Sequence, residues 1–237
     1  MTSPVLQAAD LVREFGAVVA VDGIDLSLAK GEFLTIFGPN GAGKTSLLGL
    51  LAGALRPTRG KVWFRGKILD FGKIEWRHRI GVLSHQGFLY GNLTAEENLR
   101  FYGQLYHLSD IDQVVRQKLE HLGIQKHASS LVRNLSHGMK QRLALARALL
   151  HDPDVILLDE PYTGLDPSAA LVLRGVLSTL TDGQRTVVMV THNLSEGLAL
   201  ATTVAIMNYG RFIWYGERAE LGSDFGQFYH GLIEGRG

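Results

Sequence analysis

The sequence predicts an α/β fold, a largely parallel sheet covered by helices, with a block of helices inserted between its strands. Three observations carry this expectation. Short apolar runs ended by glycine or polar turns alternate with helical patterns, as the strands and crossovers of a parallel sheet do. Between Thr94 and Leu150 the strand signals thin out and helical patterns take over. Glycine accounts for 28 of 237 residues, about 12% against a usual value of about 7%, so many backbone positions need positive φ or close approach of a ligand.

Taken in chain order, Phe33–Phe37 is a short buried strand ending at Gly38. Lys44–Leu55 follows as a helix whose apolar face is Leu47, Leu48, Leu50 and Leu51, and Arg56-Pro57-Thr58-Arg59-Gly60 breaks it. Lys61–Phe64 starts another strand. Thr94 with Glu97 three residues later is a capping box that opens a helix to about His107. Ile111–Leu122 and His137–Leu150 are the next two helices. Val155–Leu158 and Thr186–Val190 are buried strands, and Ala205–Asn208 with Phe212–Tyr215 forms a terminal hairpin across Tyr209-Gly210-Arg211. No repeat, low-complexity tract or long linker interrupts this order.

Composition excludes several classes. Lys and Arg number 24 against 23 Asp and Glu, a net charge of +1, which does not favour nucleic acid as a partner. The basic cluster from Arg56 to Arg79, eight Lys/Arg against Asp70 and Glu75, is expected to be a solvated hairpin surface. Cysteine is absent, which removes disulfides, iron–sulfur clusters and cysteine-based zinc sites and is compatible with a reducing cytoplasm. The longest stretch free of charge, Ile80–Ala95, contains His, Gln, Asn and glycines. A membrane-spanning helix needs about 20 mostly apolar residues, so the chain is expected not to cross a membrane by itself. The first ten residues lack the basic flank and apolar block of a secretory signal.

Gly38-Pro39-Asn40-Gly41-Ala42-Gly43-Lys44-Thr45, with Ser46 behind it, fits the phosphate-loop pattern in full. Glycines let backbone N–H groups turn inward as an anion nest, backed by the dipole of the following helix. Lys44 is placed to reach β- and γ-phosphates, and the Thr45 hydroxyl to ligate Mg²⁺. An apolar strand leads in and an amphipathic helix leads out, so the expected ligand is a nucleotide.

Val155–Leu158 ends in Asp159-Glu160. Residues at the carboxyl end of a parallel strand face the ligand crevice. Successive side chains alternate, so the two carboxylates cannot share one task. One suits a Mg²⁺ shell and the other suits polarising an attacking water.

Six separated elements then fall in order: Gly38–Thr45, Gln86, Leu135-Ser136-His137-Gly138-Met139, Asp159-Glu160, Gly164-Leu165-Asp166 and His192. In this order and spacing, from about Val5 to Gly216, the chain resembles the nucleotide-binding subunits of ABC transporters. The resemblance implies a P-loop NTPase (RecA-like) core with an antiparallel β subdomain and an inserted helical subdomain. Residues 1–87 and 151–237 would form the core with its β subdomain, and 88–150 the helical insert. It implies ATP and Mg²⁺ as ligands, with Phe15 against the adenine and Gln86 sensing Mg²⁺ and linking to a membrane subunit. Asp159 would hold Mg²⁺, Glu160 would be the general base for water attack, and His192 would contact the γ-phosphate. Asp166 would act across a dimer interface. Ser136 and Gly138 would cap the ATP of the opposite subunit, so that two nucleotides lie between two chains. Ser136 is a good N-cap for the following helix, whose first amides suit a phosphate.

The signature segment departs from the usual family pattern at His137, where glycine is usual, and at Met139, where Gln or Glu is usual. Within the family, one cassette per chain argues against translation-factor members, and the lack of long coiled coils and zinc cysteines argues against DNA-repair members. A separately made transporter ATPase remains, peripheral on the cytoplasmic face of the membrane, paired as a homo- or heterodimer and bound to separate transmembrane permease subunits. The segment Thr94–Tyr102 resembles the surface that receives a coupling helix, with Tyr90, Phe101, Tyr102 and Tyr106 lining it. Glu97–Gly103 and Gln141–Leu150 resemble exporter-type ATPases, among them the haem exporter ATPases of cytochrome c maturation. Two other classes stay open: a soluble ABC ATPase that drives assembly of a cofactor or protein complex, and a small-molecule kinase.

Overall fold

A computed structural model describes residues 4–73, 75–84, 87–181, 183–222 and 224–235. The chain opens with two long antiparallel strands, β1 (Leu6–Phe15) and β2 (Val18–Leu28). Strand β3 (Phe33–Phe37) runs through the phosphate loop into helix α1 (Lys44–Leu51). Strands β4 (Arg59–Phe64) and β5 (Lys67–Ile68) follow, then a 3₁₀ turn at Glu75–Arg79 and strand β6 (Ile80–Leu83). Three helices come next: α2 (Ala95–Leu105), α3 (Ile111–His121) and α4 (His137–Ala148). The remainder alternates as β7 (Val155–Asp159), α5 (Pro167–Ser178), β8 (Thr186–Thr191) and α6 (Leu194–Leu200). Strands β9 (Thr203–Asn208) and β10 (Arg211–Glu217) and helix α7 (Phe225–Ile233) end the chain.

Two sheets result. One is antiparallel, in the order β2-β1-β4-β5. The other has the order β10-β9-β3-β8-β7-β6. It is parallel except for β10, which returns antiparallel on β9. Its central strands β3, β7 and β8 are buried along their whole length, as strands covered on both faces must be. Alternate residues divide between two cores. Leu34, Ile36, Leu157, Val188 and Val190 pack with α1 and the antiparallel sheet. Phe33, Ile156, Leu158, Val187 and Met189 pack with the inner faces of α2 to α5. A smaller cluster of Phe37, Val204, Ile206, Phe225 and Tyr229 fastens α7 to the sheet.

The Thr94 capping box forms in full, each partner accepting from the other's backbone N–H. Helix α1 stops at Leu51, one turn short of the expected Leu55, because Gly53 enters the left-handed region at φ 60°. The basic cluster is in part ion-paired on the surface, Arg59 to Asp10 at 2.8 Å and Arg65 to Asp154 at 2.7 Å.

Candidate active site

The phosphate loop leaves the carboxyl end of β3 at the centre of the parallel sheet, where such folds bind ligands. Its glycines are sterically required. A Cβ on Gly38 would lie 2.2 Å from the Met207 carbonyl oxygen, and one on Gly43 (φ 101°) would lie 2.0 Å from that of Ala20. Strand β2 and the β9–β10 turn thus press the loop from outside, and Gly210 N–H donates to the Ala42 carbonyl at 3.0 Å. A cleft of about 290 Å³ opens above the loop, lined by Val18–Ala20, Asn40–Ser46, Asp159 and Glu160.

Lys44 is buried, and its ammonium donates to the carbonyls of Gly38 at 2.6 Å and Pro39 at 3.0 Å. Burial pushes its pKa down, and the carboxylates of Glu160 and Asp159 oppose that shift. A desolvated cation bonded to neutral carbonyls gains from an added phosphate oxygen. The Thr45 hydroxyl donates to Asp159 Oδ1 at 3.2 Å, so the two oxygens read as metal ligands in the sequence are adjacent. They fit Mg²⁺, which takes few protein oxygens and completes its shell with phosphate and water.

Glu160 follows β7 in the left-handed region, at φ 48°. This turn separates it from Asp159 and aims it at the end of β8, where its own N–H donates to the Val190 carbonyl at 2.9 Å. Its carboxylate accepts from the Thr191 hydroxyl at 3.1 Å and from His192 N–H at 3.3 Å, and lies 2.9 Å from His192 Nδ1. A carboxylate only accepts, so Nδ1 carries the proton of that contact, and Nε2 is the ring nitrogen turned away from it. A base oriented by a second group beside a phosphate loop is the arrangement that water activation needs.

The other expected residues sit elsewhere. Phe15 ends β1, paired with Val18 across the hairpin, 44% exposed, with the Arg13 guanidinium 4.4 Å from its ring centroid. Ser136, Gly138 and Asp166 do not line the phosphate cleft. Ser136 caps α4 by accepting from Met139 N–H at 3.3 Å. Asp166 caps α5, and its bonds from Ala169 N–H and the Ser168 hydroxyl hold its pKa below the usual range. Gln86 lies outside the described residues. Sequence reasoning passed over Thr191, which holds Glu160, and the exposed Val18 and Val19 at the cleft mouth. The Val18-Val19 pair did carry a signal, since a half-buried strand hides only one of two neighbours.

A family model described as "ABC transporter" matches residues 21–163. This chain belongs to the ABC transporter ATP-binding family. As an ABC ATPase it binds ATP and hydrolyses it, as the nucleotide-driven component of a transporter. It is 37% identical over 207 residues to "ABC transporter ATP-binding protein NatA" of Bacillus subtilis (strain 168), covering 86% of this chain and 84% of that one. It is 35% identical to "Nod factor export ATP-binding protein I" of Cupriavidus metallidurans, over 92% of this chain and 72% of that one. Among solved structures, cbiO1 of Clostridium perfringens, "part of the ABC transporter complex cbiONQ", superposes with a TM-score of 0.83 at 26% identity, covering 96% of this chain and 93% of that one. The ATP-binding cassette MJ0796, dimeric and bound to ADP and Pi, superposes with a TM-score of 0.82 at 25% identity, covering 90% of this chain and 98% of that one. The ABC ATPase fold therefore holds over nearly the whole chain, an α/β core with an antiparallel sheet beside it and helices α2 to α4 between β6 and β7. Among the described residues, no helix of this ABC ATPase is long and apolar enough to cross a membrane.

Proposed function

We propose that this chain is the ATPase subunit of an exporter, working as a head-to-tail dimer that closes over two ATP molecules and drives separate transmembrane permease subunits from the cytoplasmic face. One observation carries the dimer: the phosphate cleft is lined by the loop, β2, Asp159 and Glu160, whereas the Ser136-capped start of α4 does not line it. The exposed start of α4 suits a phosphate, and a second copy brings one. The dimeric state of MJ0796 supports the same assembly. Export rests on relatives with names such as "Nod factor export ATP-binding protein I" and "Linearmycin resistance ATP-binding protein LnrL". In this reading, residues 88–150 form the helical subdomain that docks on the permease.

The residues divide the work as follows. The loop amides of Gly38–Ser46 and Lys44 hold the phosphates, and Phe15 with Val18 receives the adenine at the cleft mouth. Thr45 and Asp159 would hold Mg²⁺, with Gln86 as a further ligand. When bound, the cation offsets the charge of the β- and γ-phosphates. Glu160 takes a proton from the attacking water, and His192 fixes the carboxylate and offers Nε2 towards the γ-phosphate. Ser136, Gly138 and Asp166 meet the nucleotide of the other chain. Catalysis is then mostly positioning and charge stabilisation.

The test uses Glu160→Gln, which keeps the shape and removes the base. It should bind Mg-ATP and turn it over about 100-fold more slowly or worse. Captured with Mg-ATP from detergent-solubilised native membranes, the tagged variant should bring down a multi-spanning protein. Recovery of soluble partners alone would overturn the transporter subunit reading in favour of a soluble assembly ATPase.

A further inference from the structure

His137 occupies the position in the signature segment where the family usually has glycine, and here it has a side chain with work to do. Its Nε2 lies 3.0 Å from the Thr163 carbonyl oxygen. A carbonyl only accepts, so Nε2 is the protonated nitrogen and donates. The ring also lies against Gly164, where a Cβ would come 3.1 Å from Nε2. A second bond joins the same pieces, Gln141 Nε2 donating to the Pro161 carbonyl at 2.9 Å, and beside it Gly138 passes so close to α5 that a Cβ would lie 2.9 Å from the Ala169 side chain.

The loop gripped in this way begins at the proposed base and ends at Asp166. Thr163 N–H donates to the Glu160 carbonyl at 3.2 Å, and Leu165 N–H donates to the Tyr162 carbonyl at 3.2 Å. Its path from Glu160 to Asp166 is thus a chain of short turns with little slack. His137 stands at its middle, one residue from Ser136. Glu160 faces this chain's own cleft, whereas Ser136 does not line it.

We infer that His137 is a positioning residue that ties the start of α4 to the Glu160–Asp166 loop, so that seating of Ser136 on a second nucleotide is passed to this chain's own base. The inference rests on the dimer reading above. It needs no membrane partner, so ATP hydrolysis by the purified chain tests it separately from the transporter assignment.

Three forms are compared: wild type, His137→Ala, which removes the His137 hydrogen bond and leaves that of Gln141, and His137→Gln, which keeps an N–H donor on a side chain of similar reach. In His137→Ala, kcat should fall about fivefold, the size of one net hydrogen bond, with KM changed less than about twofold. Cooperativity in ATP should fall with it. Nucleotide affinity without Mg²⁺ should be unchanged, because His137 does not line the phosphate cleft. His137→Gln should recover most of kcat and of the cooperativity. Equal loss in Ala and Gln, wild-type kcat in Ala, or an effect confined to KM would each overturn the tie. Melting temperatures of the three forms identify a mere folding defect, in which case Gln against wild type decides alone.

Discussion

His151 shows what a single misplaced proton would do in this chain. Its ring stacks on Tyr106 at 3.9 Å between centroids, and Nε2 lies 3.3 Å from the Ile80 carbonyl. The other nitrogen, Nδ1, is buried with no hydrogen-bond partner. Burial pushes the pKa down to about 4, helped by His78, Arg147 and Lys118 and opposed by the bond to Ile80. The sign follows from comparing states. Above about pH 6.5, the unfolded value, both states are neutral and nothing is lost. Between there and about pH 4 the unfolded chain binds a proton that the native chain refuses, so stability falls as pH falls. The loss reaches about 3 kcal/mol at the bottom of the window. In His151→Phe, which keeps the stack and cannot titrate, urea midpoints between pH 7.5 and pH 4.5 should fall less steeply than in wild type. Parallel pH profiles would show that His151 protonates freely in the native state.

At the scale of elements, the joint between the end of α1 and the 3₁₀ turn at Glu75–Arg79 is the tightest fit among the described glycines. Gly53 ends α1 at φ 60°, and a Cβ there would lie 1.8 Å from the Trp76 ring. Trp76 has no room to yield, since it is buried and its indole N–H donates to the Asp70 carbonyl at 3.1 Å. Gly53→Ala should therefore destabilise by about 2–4 kcal/mol through overpacking and left-handed strain together. Gly175, inside α5 with nothing within 4 Å of an added Cβ, is the contrast: Gly175→Ala should be neutral or stabilise by about 0.5–1 kcal/mol. Equal urea midpoints for the two variants would refute this steric account. The same joint explains what could be read in advance. Helices α2 and α4 announce themselves through the caps Thr94 and Ser136, and α3 through apolar spacing, all within each segment. Strands β1 and β2 do not, because register shifts between Ala8 and Leu11 and again at Arg13 break the alternation on which strand reading depends. The site divides in the same way. Lys44 and Thr45, or Asp159 and Glu160, are adjacent in the chain and legible. Thr191 reaches Glu160 only because β8 pairs with β7, so it carries no local signal, and the Val18-Val19 pair marks an exposed strand end without saying that β2 folds over the phosphate loop.

On the whole molecule, the phosphate cleft and the aromatic face are separate surfaces, as the proposed docking of a permease requires. Phe88 and Tyr90 stand 51% and 50% exposed just after β6, and Tyr90 meets the edge of Phe101 at 5.2 Å. Beneath them the Arg147 guanidinium lies 5.5 Å from the Phe88 ring and 5.2 Å from that of Tyr102, and it donates to the Val82 carbonyl at 2.6 Å. The Phe88 ring is therefore mounted on a buried cation bonded to β6, Tyr90 joins it through Tyr102 at 6.3 Å between centroids, and the neighbour of β6 in the parallel sheet, β7, ends at Asp159. Large aromatics packed on a buried cation and left open to water have the character of interface anchors. Phe88→Ala with Tyr90→Ala should leave hydrolysis by the isolated chain within about twofold of wild type, since neither ring lines the phosphate cleft. Placed in the Glu160→Gln background, the pair should lower recovery of the multi-spanning partner at least about tenfold, the effect of losing anchors worth about 2 kcal/mol. Undiminished recovery would assign docking to another surface; a matching collapse of hydrolysis would mean that the rings support the catalytic sheet.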